Sequence, residues 1–254
     1  MTRSIRRNDK NVFLFILGTL VLVGIIFLLK TQEDDKKIYL YAWETPQDFS
    51  FLTADDYYIE NIGVAYLAGE VSSKNGELIF SDRRNPLVIP KGVEMISVVR
   101  INPLNNLEEL VANKKEIALF IIDHCSRADH CQIDMDTKPS EYDHYGEIIE
   151  MVNSELGEKV SIAALASWCT KDSWIDSLEI SYAVPMLYRM GERSEILKIE
   201  NIPLKNDFCK ENVALSTDEL DFDFHEYAAG KTVFIFNPNT WTDEALNDIM
   251  QELK

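Results

Sequence analysis

Eight short, apolar, β-rich runs recur along the chain, and several are separated by stretches of helical periodicity. The runs are IYLYAW (Ile38 to Trp43), IGVAYLAGEV (Ile62 to Val71), MISVVRI (Met95 to Ile101), HCQIDMD (His130 to Asp136), SIAALASW (Ser161 to Trp168), SYAVPMLYRM (Ser181 to Met190), NVALS (Asn212 to Ser216) and TVFIFN (Thr232 to Asn237). Strand-like runs alternating with helical stretches are the pattern of a βα repeat. The spacing predicts amphipathic helices over Leu107 to Ile122, Glu141 to Leu156 and Asp243 to Leu253, the last capped by Thr242. One connection differs: GELIFSDRRNPLVIP reads as an irregular hairpin around Arg83-Arg84-Asn85-Pro86, without a helix. Eight mostly parallel strands with crossover helices predict an α/β fold, a compact and irregular (β/α)8 TIM-like barrel, with an open doubly wound sheet as the alternative. The first strand is followed by YAWETPQD, which has no glycine, so nucleotide binding lacks support and no cofactor is implied.

Ahead of these runs, MTRSIRRNDKN carries Arg3, Arg6, Arg7 and Lys10 against Asp9, and Val12 to Leu29 then contains no charged residue. At about 1.5 Å of helix rise each, those residues reach roughly 27 Å, close to the ~30 Å hydrocarbon core of a bilayer. Basic residues on the N-terminal flank place that end in the cytoplasm. The expected organisation is a basic tail and transmembrane anchor over residues 1–30, a short charged linker over 31–37, and an exported domain over 38–254. A cleaved signal peptide competes with the anchor, but no small-x-small cleavage pattern follows the apolar run. The expected place is therefore the cytoplasmic (inner) membrane, single-pass, with the domain on its periplasmic or extracellular side.

Residues 31–254 carry a net charge of −22. Phosphate backbones and anionic headgroups repel such a domain, so nucleic acid is excluded as a partner, and membrane attachment falls to the N-terminal helix. All four cysteines, Cys125, Cys131, Cys169 and Cys209, lie in the exported part. Cys125 and Cys131 close a short polar loop that suits a local disulfide; free thiols and a metal site are the other readings. The loop reads HCSRADHC, which matches no structural zinc spacing.

In a βα barrel, functional groups gather where strands end, because the βα loops line one open mouth. The predicted strand ends carry Trp43-Glu44, Glu70, Arg100-Asn102, Asp134-Asp136, Ser167-Trp168, Tyr188-Arg189, Asp218-Glu219 and Asn237-Trp241. On the fourth run, period-2 alternation puts Gln132, Asp134 and Asp136 on one face and Ile133 and Met135 on the other. Two carboxylates a few ångströms apart repel, so one tends to keep its proton and is equipped to act as a general acid. The competing assignment is internal: Asp134 and Asp136 pair with Arg100 or cap the next helix. Trp43, Trp168, Tyr188 and Trp241 offer ring faces for sugars, and serve equally well as core plugs. A metal-dependent alternative would use His124, His130 and Asp134.

AYLAGEV, VVRIN, CQIDMD, IAALASW, VPMLYRMG, LSTDE and FNPNTWT together resemble the bacterial domain-of-unknown-function family 3142, over most of residues 38–250. The resemblance implies an exported, often membrane-attached TIM barrel related in shape to glycoside hydrolases. QIDMDTK and MLYRM also look like the D-x-D-x-E and M-x-Y-D signatures of chitinase-like glycoside hydrolases, with Asp134, Asp136, Met186 and Tyr188 at matching positions. Lys138 stands where that family has its catalytic Glu, and Arg189 where it has its final Asp. A lysine cannot deliver a proton and then act as a carboxylate base, so a chitinase mechanism is not supported. The expectation is a barrel that binds or hydrolyses an envelope polysaccharide. Asp134 or Asp136 is the acid and Glu70 the second carboxylate, with Glu44 and Glu219 as alternatives to Glu70. Arg100, Tyr188, Asn237, Trp43, Trp168 and Trp241 bind the sugar chain. A noncatalytic scaffold or protein-docking domain is the alternative.

Overall fold

A strand buried on both faces has no polar side to show in its sequence, and this is why most of the eight runs are apolar throughout; HCQIDMD, with Gln132 and Asp134 on one face, is the exception. The computed structural model describes residues 37–54, 56–104, 106–157, 160–170, 174–189, 204–219 and 228–253. The expected anchor over 1–30, and the linker up to residue 36, lie outside the described residues. Among the described residues no helix is long and apolar enough to cross a membrane.

In chain order the elements are β1 (Ile38–Ala42), β2 (Gln47–Asp48), α1 (Asp56–Asn61), β3 (Ile62–Lys74), β4 (Glu77–Asp82), β5 (Leu87–Val88), β6 (Met95–Ile101), α2 (Leu107–Cys125), β7 (His130–Met135), α3 (Tyr142–Leu156), β8 (Val160–Leu165), α4 (Ala166–Thr170), β9 (Ala183–Met186), β10 (Asn212–Ser216), β11 (Thr232–Phe236) and α5 (Asp243–Glu252). The main sheet runs β1-β11-β10-β9-β8-β7-β6-β3, and β1 pairs back onto β3, so eight parallel strands close a barrel. All eight sequence runs are barrel strands, and the open-sheet alternative falls.

Alternate residues divide between the barrel interior and the helix layer. Tyr39, Tyr41, Ala65, Ile96, Val98, Val184, Ala214 and Phe234 fill the interior. Leu40, Ala42, Val64, Val213 and Ile235 face outward onto Leu246 and Ile249 of α5. Val99, Ile133 and Ile162 face Ile117 and Ile121 of α2 and Ile148 of α3. Small residues make room for the interior aromatics: a Cβ on Gly63 would lie 2.3 Å from the Tyr39 ring.

The helices start where side chains satisfy their free amides. Asn106 accepts from the Glu109 N–H at the start of α2, and Thr242 accepts from the Ala245 N–H at the start of α5. Helix α2 runs on to Cys125, which is bonded to Cys131 on β7. A second disulfide, Cys169–Cys209, joins α4 to the turn before β10. The segment after β3 does lack a helix, but its tight turn is at Asn75-Gly76, not at Arg83–Pro86. Both central residues have positive φ, 56° and 83°, which matches the twist of the β3–β4 hairpin. Arg83 to Pro86 instead lead into β5, which pairs in parallel with β2.

Candidate functional site

The strand β7 divides as its alternation requires. Ile133 and Met135 pack into the helix layer, while Gln132 and Asp134 turn into the barrel. Gln132 is fully buried, and its Oε1 accepts a 2.7 Å hydrogen bond from the Tyr41 hydroxyl. Two residues further along, the Asp134 side chain is 14% exposed. It therefore sits at the C-terminal mouth, with Asp136 beyond the strand end and exposed.

Glu70 reaches the same face because β3 is irregular. Counting in twos from inward Ala65 would send residue 70 outward. The register with β6 shifts between Leu67 and Gly69, so Gly69 points outward, where a Cβ would meet the Phe120 ring, and Glu70 pairs with Arg100. A bulge of this kind re-aims a side chain. Arg100 in turn pairs with Asp134, so Glu70, Arg100 and Asp134 form one inward cross-strand row. With about 4.8 Å between neighbouring strands, the Glu70 and Asp134 backbones stand roughly 10 Å apart with Arg100 between them.

Arg100 Nε approaches Asp134 Oδ2 at 4.0 Å, too far for a hydrogen bond, and its guanidinium lies 5.8 Å from the centre of the Trp43 ring. Burial, and then the Asp136 charge, push the Asp134 carboxyl up to about 6, with Arg100 opposing. The Tyr188 hydroxyl is held well above its ordinary range by burial and by the same two aspartates, with Arg189 and Arg100 opposing. Its ring stacks on Phe236 at 5.6 Å with 7° between planes, and Trp43 meets Phe236 edge-on at 6.4 Å. Phe236 was not anticipated; as the last residue of an apolar strand it carries no polar signal.

Arg83 fixes this wall from behind. Its guanidinium donates to the carbonyls of Ala42 at 2.8 Å, Thr45 at 2.8 Å and Asn85 at 3.0 Å, and also to that of Trp43. The loop carrying Trp43 is thus tied to the β4–β5 connection.

Other expected site residues are placed elsewhere. Trp168 lies beyond the end of β8, on α4. It is buried edge-on to Trp174 at 5.0 Å and Tyr142 at 6.2 Å, and presents no free face. Trp241 packs outside the barrel, its indole N–H donating to the Tyr41 carbonyl at 3.0 Å. Asn237 is buried, and its Oδ1 accepts from the Asn239 N–H at 3.0 Å and the Thr217 hydroxyl at 3.2 Å, which makes it a turn residue. Glu219 is held by Arg189, at 2.9 Å from its guanidinium and 3.1 Å from its backbone N–H. Arg189 also reaches Asp218 at 2.6 Å. Glu44 and Lys138 are exposed.

The three groups of the metal alternative are separated. His124 on α2 meets Asp82 at 3.1 Å, and His130 meets Glu94 at 2.9 Å at the opposite end of β7 from Asp134. Among the described residues no group of three His, Cys, Asp or Glu side chains is placed to hold a metal ion. Glu94 also accepts from the Tyr39 hydroxyl at 2.7 Å and from Lys37. The His130 bond, with those from Lys37 and Tyr39, outweighs burial and draws the Glu94 carboxyl down to about 2.

At the mouth, then, stand the half-buried rings of Trp43 and Tyr188, the Asp134 carboxyl raised to about 6, and Glu70 in register on the far side of Arg100. No protein-family model and no curated protein sequence matches the chain.

Proposed function

We propose that this protein belongs to family 3142 and is a single-pass envelope protein, anchored in the inner membrane by its N-terminal helix, whose barrel mouth binds or hydrolyses a cell-envelope polysaccharide. The inward row Glu70–Arg100–Asp134, under the ring faces of Trp43 and Tyr188, carries this reading. Asp134 is the proton donor: a carboxyl titrating at about 6 still carries protons where an ordinary aspartic acid has lost them. Glu70 is the second carboxylate. Backbones roughly 10 Å apart, with side chains converging on the axis, fit the ~6.5–9.5 Å carboxyl separation of inverting hydrolysis, in which Glu70 takes a proton from a water as it attacks the anomeric carbon and Asp134 gives its proton to the departing glycosidic oxygen. Burial first, and then the Asp136 charge, hold the Asp134 proton in place.

The test uses the full chain in detergent micelles with a panel of envelope oligosaccharides, following heat of binding and release of reducing ends. Wild type binds and cleaves; Asp134→Asn still binds and does not cleave. Failure of wild type to bind any member of the panel refutes the glycan reading. Recovery of a mature chain starting at about Gln32 refutes the anchor.

The second reading is a noncatalytic envelope scaffold. Its support is the internal use of Trp168, Trp241, Asn237 and Glu219, each of which is spent on packing or pairing. Under that reading Asp134→Asn alters stability alone.

A further inference from the structure

Most charged groups near the mouth are satisfied from within the protein. Arg83 is surrounded by carbonyls, and Arg189 is shared between Asp218 and Glu219. Arg100 is not. Its side chain is 36% exposed, it has no hydrogen bond among the described residues, and its one charged neighbour within 4.0 Å is Asp134, at that limit. A guanidinium offers five N–H donors in a planar fork suited to a carboxylate. One register step deeper on the same face, the buried Gln132 Nε2 has no acceptor among the described residues. The exposed guanidinium is thus the donor group that the mouth presents beside Trp43, with the Gln132 amide buried beneath it on the same face.

We infer that Arg100 reads a carboxylate on the bound sugar, so that the mouth takes a hexuronate-containing glycan whose acid group sits on the guanidinium while its ring lies against Trp43. This rests on the glycan reading above and names its substrate class. The surroundings limit the ligand to one negative charge per bound unit. Glu70, Asp134 and Asp136 face Arg100 from β3 and β7, while Trp43 and Tyr188 face it from β1 and β9. A sulfate- or phosphate-rich polymer would meet three carboxylates and a domain of −22. A single planar carboxylate replaces Asp134 at Arg100, and it does so most readily when Asp134 holds its proton. Uronate binding therefore strengthens as the pH falls through about 6.

The deciding experiment is titration calorimetry of the full chain at pH 5.5 and 7.5. The probes are glucuronate- and galacturonate-containing oligosaccharides and the carboxyl-reduced counterpart of each. Wild type is expected to prefer the acidic form about tenfold at pH 5.5, the size of one charge-assisted contact, and less at pH 7.5. Arg100→Gln is expected to bind both forms alike. Wild type binding the reduced form as well as or better than the acidic one overturns the inference and leaves the glycan reading standing. Binding of neither form also overturns the inference, and the glycan reading is then decided by the wider oligosaccharide panel. The comparison of two ligands on wild type stands whether or not the variant folds.

Discussion

Replacing Asp134 by Asn should stabilise the protein at neutral pH. The Asp134 carboxyl titrates at about 6 in the fold against an ordinary 3.8. A gap of roughly two units, at ~1.4 kcal/mol each, means that ionising it costs the folded state about 3 kcal/mol. The sign follows from proton binding. The folded state holds the proton more tightly than the unfolded chain, so this stability is fully present below pH 3.8 and is lost as the pH rises through about 6. Asparagine keeps the shape of the protonated acid and never ionises. Relative to the variant, wild type should therefore lose about 2.5 kcal/mol between pH 4 and pH 7.5. The assay is urea unfolding of residues 37–254, one compact unit, at four pH values across that range. Subtracting the two proteins cancels every other titrating group that the substitution leaves alone. A difference that stays constant with pH, or one in which wild type gains as the pH rises, refutes the assignment of Asp134 as a carboxyl held protonated by burial.

Glu94 titrates in the opposite direction: at about 2 against 4.5, it contributes about 3 kcal/mol above pH 4.5 that is lost as the pH falls toward 2. Glu94→Gln should thus cost about that much at pH 7, and unfolding curves of the two proteins should converge near pH 2. Removing the Cys169–Cys209 bridge by paired alanines opens a loop closed over a sequence separation of 40 and should cost about 4 kcal/mol in urea, against about 2.3 kcal/mol for Cys125–Cys131, whose separation is 6. Gly63→Ala drives a methyl group to 2.3 Å from the Tyr39 ring and should destabilise by about 1–3 kcal/mol, read as a lowered melting temperature; an unchanged value would mean that the interior packs differently.

The strands were legible because a parallel barrel buries both strand faces, and eight apolar runs have few other arrangements. The inward turn of Asp134 was legible for a related reason, since strict alternation holds along β7. Glu70 shows the limit of that rule. Its position at a strand end could be read, but its direction depends on the irregularity after Leu67, which a period of two does not contain. The tryptophans show a different limit. Trp168 and Trp241 lie beyond the ends of β8 and β11, and the first turn of the following segment decides where such a ring points. The hairpin was misplaced because Arg83–Pro86 carries a proline, while Asn75-Gly76, the stronger turn signal, sits at the end of an apolar run. The partner of Cys169 lies 40 residues away and is chosen by the packing of α4, which no local pattern encodes.

The two ends of the barrel spend their charges differently, and this contrast separates support from function. At the base, Glu94 has three partners, and its carboxyl is pulled down in consequence. At the mouth, Asp134 has burial and a repelling neighbour with Arg100 opposing, and among the described residues Arg100 has no hydrogen bond and the buried Gln132 amide no acceptor. A fold selected for stability alone gains nothing from this arrangement: the unsatisfied buried Gln132 amide costs about 1–3 kcal/mol, while the Arg100 guanidinium, 36% exposed, is left to solvent. Scaffold duty accounts for the base of the barrel and for Trp168 and Trp241. Under the proposed function, a ligand carboxylate supplies the acceptor that the exposed Arg100 guanidinium lacks among the described residues, which is what the uronate titration tests.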